Sequence, residues 1–476
     1  MLVDRFIFHY AVVELEATTP HAIQSGRGDT THDVLLMRDH NGLPALPGTS
    51  IAGVLRNLYN ELYQKEGGKL LSGNELFGYA DSNGGRPSWV QFAAGLIHNS
   101  KNEPQEGLKA NLAQDPILVK LLDSKPLVRQ RVRLNEKGAA IDMGKFDNTL
   151  VPAGVRYSTL ISYWSDGSAV CEQAFENILS LLNSPTFRLG HSTRSGSGGF
   201  KVNRVLTKRW DLKQPKEARD FQQYHRSRCN LSGLQQVIPT VQKYANWSTV
   251  ELKLQAEAGW RIGGGEHSFS LPDVKGKVPD LLPQSEYRIQ WQNDKASLCK
   301  QQPVLPASAV KGAIAHRFVF HYRRISGDFV QPKITSSLQK ASENLGVREV
   351  FGFTTDGDNP SAHAGRLLIN DIYIEDFLSA RQMHNKIDRF TGGVVTGALF
   401  EEEVLWQTPL TLQISILKSQ ELSVLSREAL LATFRDLEEG LLPLGASGSR
   451  GQGIFTAITP LQWLVNPLEQ QKDALA

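Results

Sequence analysis

Cysteine is nearly absent from this chain: among 476 residues only Cys171, Cys229 and Cys299 occur, with no CxxC pair and no Cys/His group at zinc spacing. So sparse and odd a set excludes a disulfide framework and a structural zinc site, and it reads as a protein of a reducing compartment. Long apolar runs are missing too. None approaches the roughly 18 residues that a membrane span needs. The opening MLVDRFIFHY lacks the basic-then-apolar order of a signal peptide. The expectation is a cytoplasmic protein without membrane contact. Charge of one sign is also scarce, since 52 Lys and Arg against 49 Asp and Glu leave a net +3. Any nucleic-acid binding therefore has to come from local patches rather than from a general positive field.

What the chain does have is ordinary globular composition, 40% hydrophobic and 21% charged, and an internal repeat. LGHSTRSGSGGF (Leu189 to Phe200) is echoed without a gap by LGASGSRGQGIF (Leu444 to Phe455). Each follows a proline motif, LPALPGTSIAGVLR from Leu43 and QPVLPASAVKGAIA from Gln302. From Leu46 to Leu189 is 143 positions, and from Leu305 to Leu444 is 139. A near-constant interval between two matched motifs means two copies of one module.

Each module opens with alternation of period two (Val13, Leu15, Ala17 and Leu252, Leu254, Ala256), which predicts a half-exposed antiparallel strand. After each proline motif a helical stripe follows, Ile51, Val54, Leu55, Leu58 and Leu62 in the first copy, with Thr49 or Ser50 as N-cap. Second helices precede both glycine loops. The order strand, helix, strands, helix, glycine loop, strand predicts an α+β protein of two tandem ferredoxin-like βαββαβ modules with long insertions. We place the first module at residues 1–206, a linker at 207–246 and the second module at 247–476. Gly-Gly and Gly-Ala junctions inside VRQRVRLNEKGAAIDMGKFDN (Val128 to Asn148) and HNKIDRFTGGVVTGALFEEE (His384 to Glu403) predict a protruding hairpin in each module.

Glycine-rich loops let backbone N–H groups approach an anion, and the nearby Ser and Arg side chains add donors and charge. The same loops also fit plain structural turns. Neither has the spacing of a nucleotide-binding P-loop or a dinucleotide fold. The helix starts at Thr49/Ser50 and Ser308 are further anion sites, because free N–H groups and the helix dipole both favour negative charge there. Gly53 and Gly312 inside those helices predict close approach by RNA or by another element. The segment GRGDTTHDVLLMRDHNGLP (Gly26 to Pro44) carries Asp29, Asp33 and Asp39, with His21 just before it and His32 within it. These could hold a divalent cation or move a proton, while Arg27 and Arg38 could steady a phosphate; an ordinary polar loop fits the same residues.

Together these motifs resemble the RAMP superfamily of CRISPR-associated proteins, over nearly the whole chain. HDVLLMRDHNGLPALPGTS is similar to the repeated backbone subunit of type III effector complexes, in which an aspartate before an Arg-Asp pair cuts target RNA; here that is Asp33, followed by Arg38 and Asp39. IDRFTGGVV (Ile387 to Val395) resembles the family's thumb hairpin. The resemblance implies a fusion of two backbone subunits, with guide CRISPR RNA, target RNA and other effector subunits as partners. It implies endoribonuclease chemistry at Asp33 with a divalent cation, magnesium first, there. The RNA-binding residues it picks out in the first module are Arg27, Thr49, Ser50, Arg56, Arg129, Arg131, Arg133, Lys145, Gly190, Arg194, Ser195, Gly196 and Gly198. In the second they are Ser308, Lys311, Arg389, Phe390, Gly445, Ser447, Ser449, Arg450, Gly451 and Gly453. The second module has Ala307 and Ala315 where the first has Gly48 and Arg56, and no aspartate aligned with Asp33, so it is expected to bind without cutting. Asp280 and Glu286 are its fallback acids. Two other readings stay open: a non-catalytic tandem scaffold or cap, and a guide-processing endoribonuclease using His21, His32 or His191.

Overall fold

A computed structural model describes residues 5–25, 35–63, 70–82, 84–135, 140–240, 247–270, 277–329, 344–354, 362–417 and 422–461. In the first module, strand Ile7–Ala17 lies between Arg156–Ser165 and Phe200–Asp211, all antiparallel. Short strands Val90–Phe92 and Leu96–Ile97 add to the Arg156–Ser165 side. The second module repeats that order with Leu367–Ile369, Pro409–Leu417, Trp247–Ala256 and Phe455–Ala457. In both, the first and third strands of the βαββαβ unit are central, as a ferredoxin-like sheet requires. Helices Gly48–Tyr63 and Ala169–Leu181 cover one face of the first sheet, and Ala307–Ser326 and Val424–Glu438 cover the same face of the second.

The proline motifs work as anchors. Leu46 and Leu305 are both fully buried, each contributing about 1.5–3 kcal/mol by burial, and the prolines after them begin the helices. Pro306 is itself the cap residue, with φ −66° and ψ 135°. The expected caps Thr49 and Ser50 therefore sit one and two residues inside helix Gly48–Tyr63 rather than before it. Proline takes the position because its fixed φ suits a helix start and its missing N–H is no loss there.

Two expectations change at the sheets. Strand Ile7–Ala17 is buried on both faces, because Glu14 is enclosed by Arg156, Arg204 and Asn203 and aromatic residues are covered from outside. Strand Trp247–Ala256 keeps the predicted pattern, with Glu251 and Lys253 exposed and Leu252 and Leu254 buried. The cover over the first sheet is the stretch expected as a linker. Phe200–Asp211 runs on into it, helix Pro215–Gln223 follows, and Gln235–Val237 pairs back on the sheet edge. Phe8, Tyr10, Val12 and Trp210 pack there against Phe221, Tyr224 and Leu231. The open face of the first sheet is thus closed by the chain itself.

Two of the contacts between the modules stand out. A hairpin of the second module, Ile289–Gln292 with Lys295–Leu298, clasps the first: Ile289 N donates to Ala153 O at 3.0 Å, Ala296 N to Ser100 O at 2.8 Å, and Trp291 Nε1 to Gly154 O at 2.7 Å. Ile289 belongs to the first module's core. Gly154, at φ +88°, has to be glycine, since a Cβ there would lie 1.9 Å from Ile289 O. The second device is Arg129, on thumb strand Leu127–Leu134. Its buried guanidinium meets Glu286 at 2.5 Å and Asp371 at 2.8 Å. Arg129→Met would leave two buried carboxylates without their cation and is expected to cost about 3–5 kcal/mol of stability. Thermal and urea denaturation check this; a change within about 0.5 kcal/mol would show that the joint does not depend on the pair.

Candidate nucleic-acid interface

The two glycine loops share one backbone. Ser192 and Ser447 are both left-handed, at φ +57° and +60°, and each is followed by a short 3-10 turn, Thr193–Ser195 and Gly448–Arg450. His191 N donates to Ala22 O and Ala446 N to Arg261 O, both at 2.8 Å. The glycines mostly serve this fold rather than a ligand. A Cβ at Gly198 or Gly453 would come within 2.2 Å of the loop's own Leu189 O or Leu444 O, and one at Gly190 or Gly445 within 2.2 or 2.5 Å of Ala22 O or Arg261 O. Gly196, Gly198 and Gly453 are buried, which corrects their assignment as open phosphate contacts. Ser195 is half-buried, while Gly445, Ser449, Arg450 and Gly451 are exposed and Ser447 is half-buried.

Gly196 packs on the other module. A Cβ there would meet Ala307 Cβ at 2.4 Å and Asp371 Oδ1 at 2.8 Å. The first glycine loop therefore seats on the start of helix Ala307–Ser326, whose leading N–H, from Ala307, is already bonded to Asp371 Oδ1 at 2.8 Å. The anion expected at that helix start is in part supplied by the protein. Ser308 and Lys311 sit half-buried in the next turn. Gly53 and Gly312 are exposed with no atom within 4 Å of a built Cβ, so no described element makes the close approach expected of them.

Around this joint, positive charge gathers without matching acid. Arg131 bonds Ser192 Oγ at 3.3 Å and leaves Nε and Nη2 buried without a partner. Arg188 reaches Ser197 O and Asn370 Oδ1 and leaves Nε unpartnered. Arg194 lies 5.2 Å over the Trp247 ring. Burial pulls Arg131 and Arg194 below the usual guanidinium range, Arg188 to about 10, and Lys311 to about 8, with Arg194 adding to the effect on Lys311. Among the described residues none of Arg131, Arg194 and Lys311 has an ion-pair partner, though from further off Asp371 acts on Arg131 and Arg188 and Glu61 acts on Arg194. Half-buried cations that lack a carboxylate suit a phosphodiester strand, whose charge would restore what burial takes away. Sequence reasoning missed Arg188 because its counterpart in the second loop is Pro443, so the repeat gave no signal there.

Arg129 is corrected outright. Burial opposes its charge, yet Asp371 and then Glu286 hold it protonated well above the ordinary value, and no RNA can reach it. Glu286 is sealed with it and also accepts from Tyr373 Oη at 3.1 Å, which removes it as a fallback acid. On the first thumb, Arg133 and Lys145 are exposed, as is Met143. Arg56 bonds Asn74 Oδ1 at 2.7 Å. On the second thumb, Leu378–His384 with Phe400–Trp406, Asp388 accepts from the N–H of Phe390 and Thr391 at 3.0 and 2.8 Å. That turn presents Arg389 to solvent and leaves Phe390 99% exposed. A preformed turn with a bare ring suits stacking on a base.

Asp33, Arg27, Asp29 and His32 lie outside the described residues. Their flanks are placed: Ser25 N donates to Leu35 O and Met37 N to Ile23 O, so the chain leaves and returns at one point. That point adjoins the glycine loop through Ala22 and the thumb base through the His21–Val151 bridge. Arg38 is a brace, donating to Gly42 O and Leu121 O at 2.6 and 2.9 Å, and Asp39 Oδ1 accepts from Asn41 and Leu43 N–H. His21 is enclosed against Tyr157, and burial lowers it to about 3; it is a neutral core residue, not an acid or base. Among the described residues no three ligand-type side chains converge for a metal; the expected cation ligand Asp33 lies outside them.

The family model described as the RAMP superfamily matches residues 14–201 and 253–456, the two modules in turn. A comparison with curated proteins finds no match. No helix among the described residues is long and apolar enough to cross a membrane.

Lys311 yields a pH test. A bound phosphate favours its protonated form, so this contribution is complete below about pH 8 and is lost above it. RNA affinity, measured by fluorescence anisotropy, is expected to fall about tenfold between pH 7 and pH 9, in line with one charge-assisted contact. Lys311→Arg should flatten the profile; superimposable profiles would contradict the contact.

Proposed function

The chain belongs to the RAMP superfamily of CRISPR-associated proteins, and from that premise we propose that it is a double backbone subunit of a type III effector complex, which grips guide RNA across both modules and cuts target RNA at Asp33. The observation that carries RNA binding is the group of unneutralised cations at the joint, drawn from both modules. Backbone contacts of this kind fix a strand's path without reading its bases. Sequence choice then falls to pairing between guide and target.

For cleavage, the support is convergence. The two ends of the segment that holds Asp33 are tied beside the glycine loop that would hold the guide and beside the root of a thumb. An exposed side chain of that thumb such as Met143 can displace a target nucleotide and turn its 2′-hydroxyl in line with the next phosphorus. The 2′-oxygen then bonds to phosphorus while the bond to the 5′-oxygen breaks. Asp33 accepts the 2′ proton, the leaving 5′-oxygen takes one from water, and the products are a 2′,3′-cyclic phosphate and a 5′-hydroxyl.

In the assembled guide-RNA complex, Asp33→Ala is expected to abolish one target cut, at least 100-fold, with guide and target affinity unchanged. Denaturing gels of end-labelled target read both. Persistence of every cut would favour the scaffold reading, in which this chain binds without cutting.

A further inference from the structure

The joint encloses a ring of side chains with more donors than acceptors. Arg129 and Arg131 stand two residues apart on strand Leu127–Leu134 and so share a face. Arg129 Nη2 meets Asp371 Oδ2 at 2.8 Å, and Arg131 Nη1 donates to Ser192 Oγ at 3.3 Å. From Ser192 the ring passes to Ser197, whose N–H donates to Ser192 O at 3.3 Å. Arg188 closes it, donating from Nη1 to Ser197 O at 3.4 Å and from Nη2 to Asn370 Oδ1, the residue before Asp371. Both modules contribute. Gly196 keeps the ring tight, since a Cβ there would lie 2.8 Å from Asp371 Oδ1.

Several atoms of this ring are sealed from solvent and have no hydrogen-bond partner among the described residues: Arg129 Nη1, Arg131 Nε and Nη2, Arg188 Nε and Ser197 Oγ. All but the hydroxyl can only donate. The sealed ring acceptor left without a hydrogen bond is Asp371 Oδ2, and it already faces Arg129 Nη2. Folded proteins leave few such groups unpaired, and an enclosed water or ion is the common resolution. Charge decides between the two. The guanidiniums of Arg129, Arg131 and Arg188 face only two carboxylates, Glu286 and Asp371, so one positive charge is left over. Burial draws Arg131 below the usual guanidinium range and Arg188 to about 10, and Asp371 offsets only part of this. A water would accept from some of these donors but turn its own hydrogens toward the rest, and the charge would stay. A monovalent anion accepts from several donors at once and cancels the charge.

We propose that the joint holds one resident monovalent inorganic anion, of the halide class, bound between Arg131, Arg188 and Ser197. It goes beyond the RNA reading and does not depend on it. The anion lets three guanidiniums of the first module close on two carboxylates of the second without mutual repulsion. Arg194 and Lys311 make no bond within the ring, so their charges stay available to a strand that passes over it. The site is therefore a structural one, and its occupancy sets how firmly the modules are joined.

The test uses the full chain without RNA, melted in potassium chloride, bromide and gluconate at equal ionic strength, together with crystals grown in bromide. The two halides are expected to raise the midpoint saturably, by roughly 2–5 °C over gluconate, and an anomalous bromide peak is expected between Arg131 and Arg188. Arg188→Met removes one side of the site and should abolish the halide dependence; Ser197→Ala, a smaller change, carries the test if the first variant does not fold. Absence of the bromide peak overturns the proposal and leaves water as the occupant. A peak with the same midpoint in all three salts overturns it too, as an adventitious ion only. So does a halide dependence that survives in the folded variants, since the effect then arises elsewhere. No arm contains RNA, so each of these failures leaves the RNA reading standing.

Discussion

The buried contact of Arg129 with Glu286 and Asp371 is the constraint on which the rest depends. Neither module alone can satisfy it, because the cation comes from the first thumb and both anions from the second module. Such a group is costly to bury, and here the charge is offset by both carboxylates although Arg129 Nη1 has no hydrogen-bond partner among the described residues. Asp371 serves twice, holding Arg129 and bonding the leading N–H of helix Ala307–Ser326. That fixes the helix start under Gly196 and so aligns Lys311 with Arg194. The cationic surface is thus a consequence of the joint rather than of either module.

The same positions do different work in the two copies. Where the first thumb sends Arg129 across the joint, the second uses Gln382, which bonds Gln452 of its own glycine loop at 2.7 Å. Gln452 and Arg261 also reach Glu402, which accepts from His384 at 2.7 Å. The first loop leans on the neighbouring module as well as on Arg131 of its own thumb, and the second on its own thumb. Gly196 is packed, while Gly451, at the matching place, has no atom within 4 Å of a built Cβ. The duplication supplies one scaffold, and a few side chains decide what each loop leans on.

Much of this was legible in the sequence. The ferredoxin-like order, both thumbs and the shared loop backbone follow from period, glycine and proline placement, because those signals are local. What was not legible depends on long-range packing. Arg129 sits in VRQRVR and reads as a basic surface residue; only its remote acids bury it. The segment RWDLKQPKEARDFQQYH reads as a charged linker, yet Trp210, Phe221 and Tyr224 on one side of it cover the first sheet. Thr49 and Ser50 misled because hydroxyl residues are usual caps, whereas here proline holds that place.

The central claim is that the joint makes the two modules one continuous track for RNA. Hydroxyl-radical footprinting of a single-stranded guide on the full chain tests it most directly. The account predicts one unbroken protected stretch that spans both modules, with its middle at the joint. Two protected stretches separated by fully reactive nucleotides, or protection confined to one module, would contradict it.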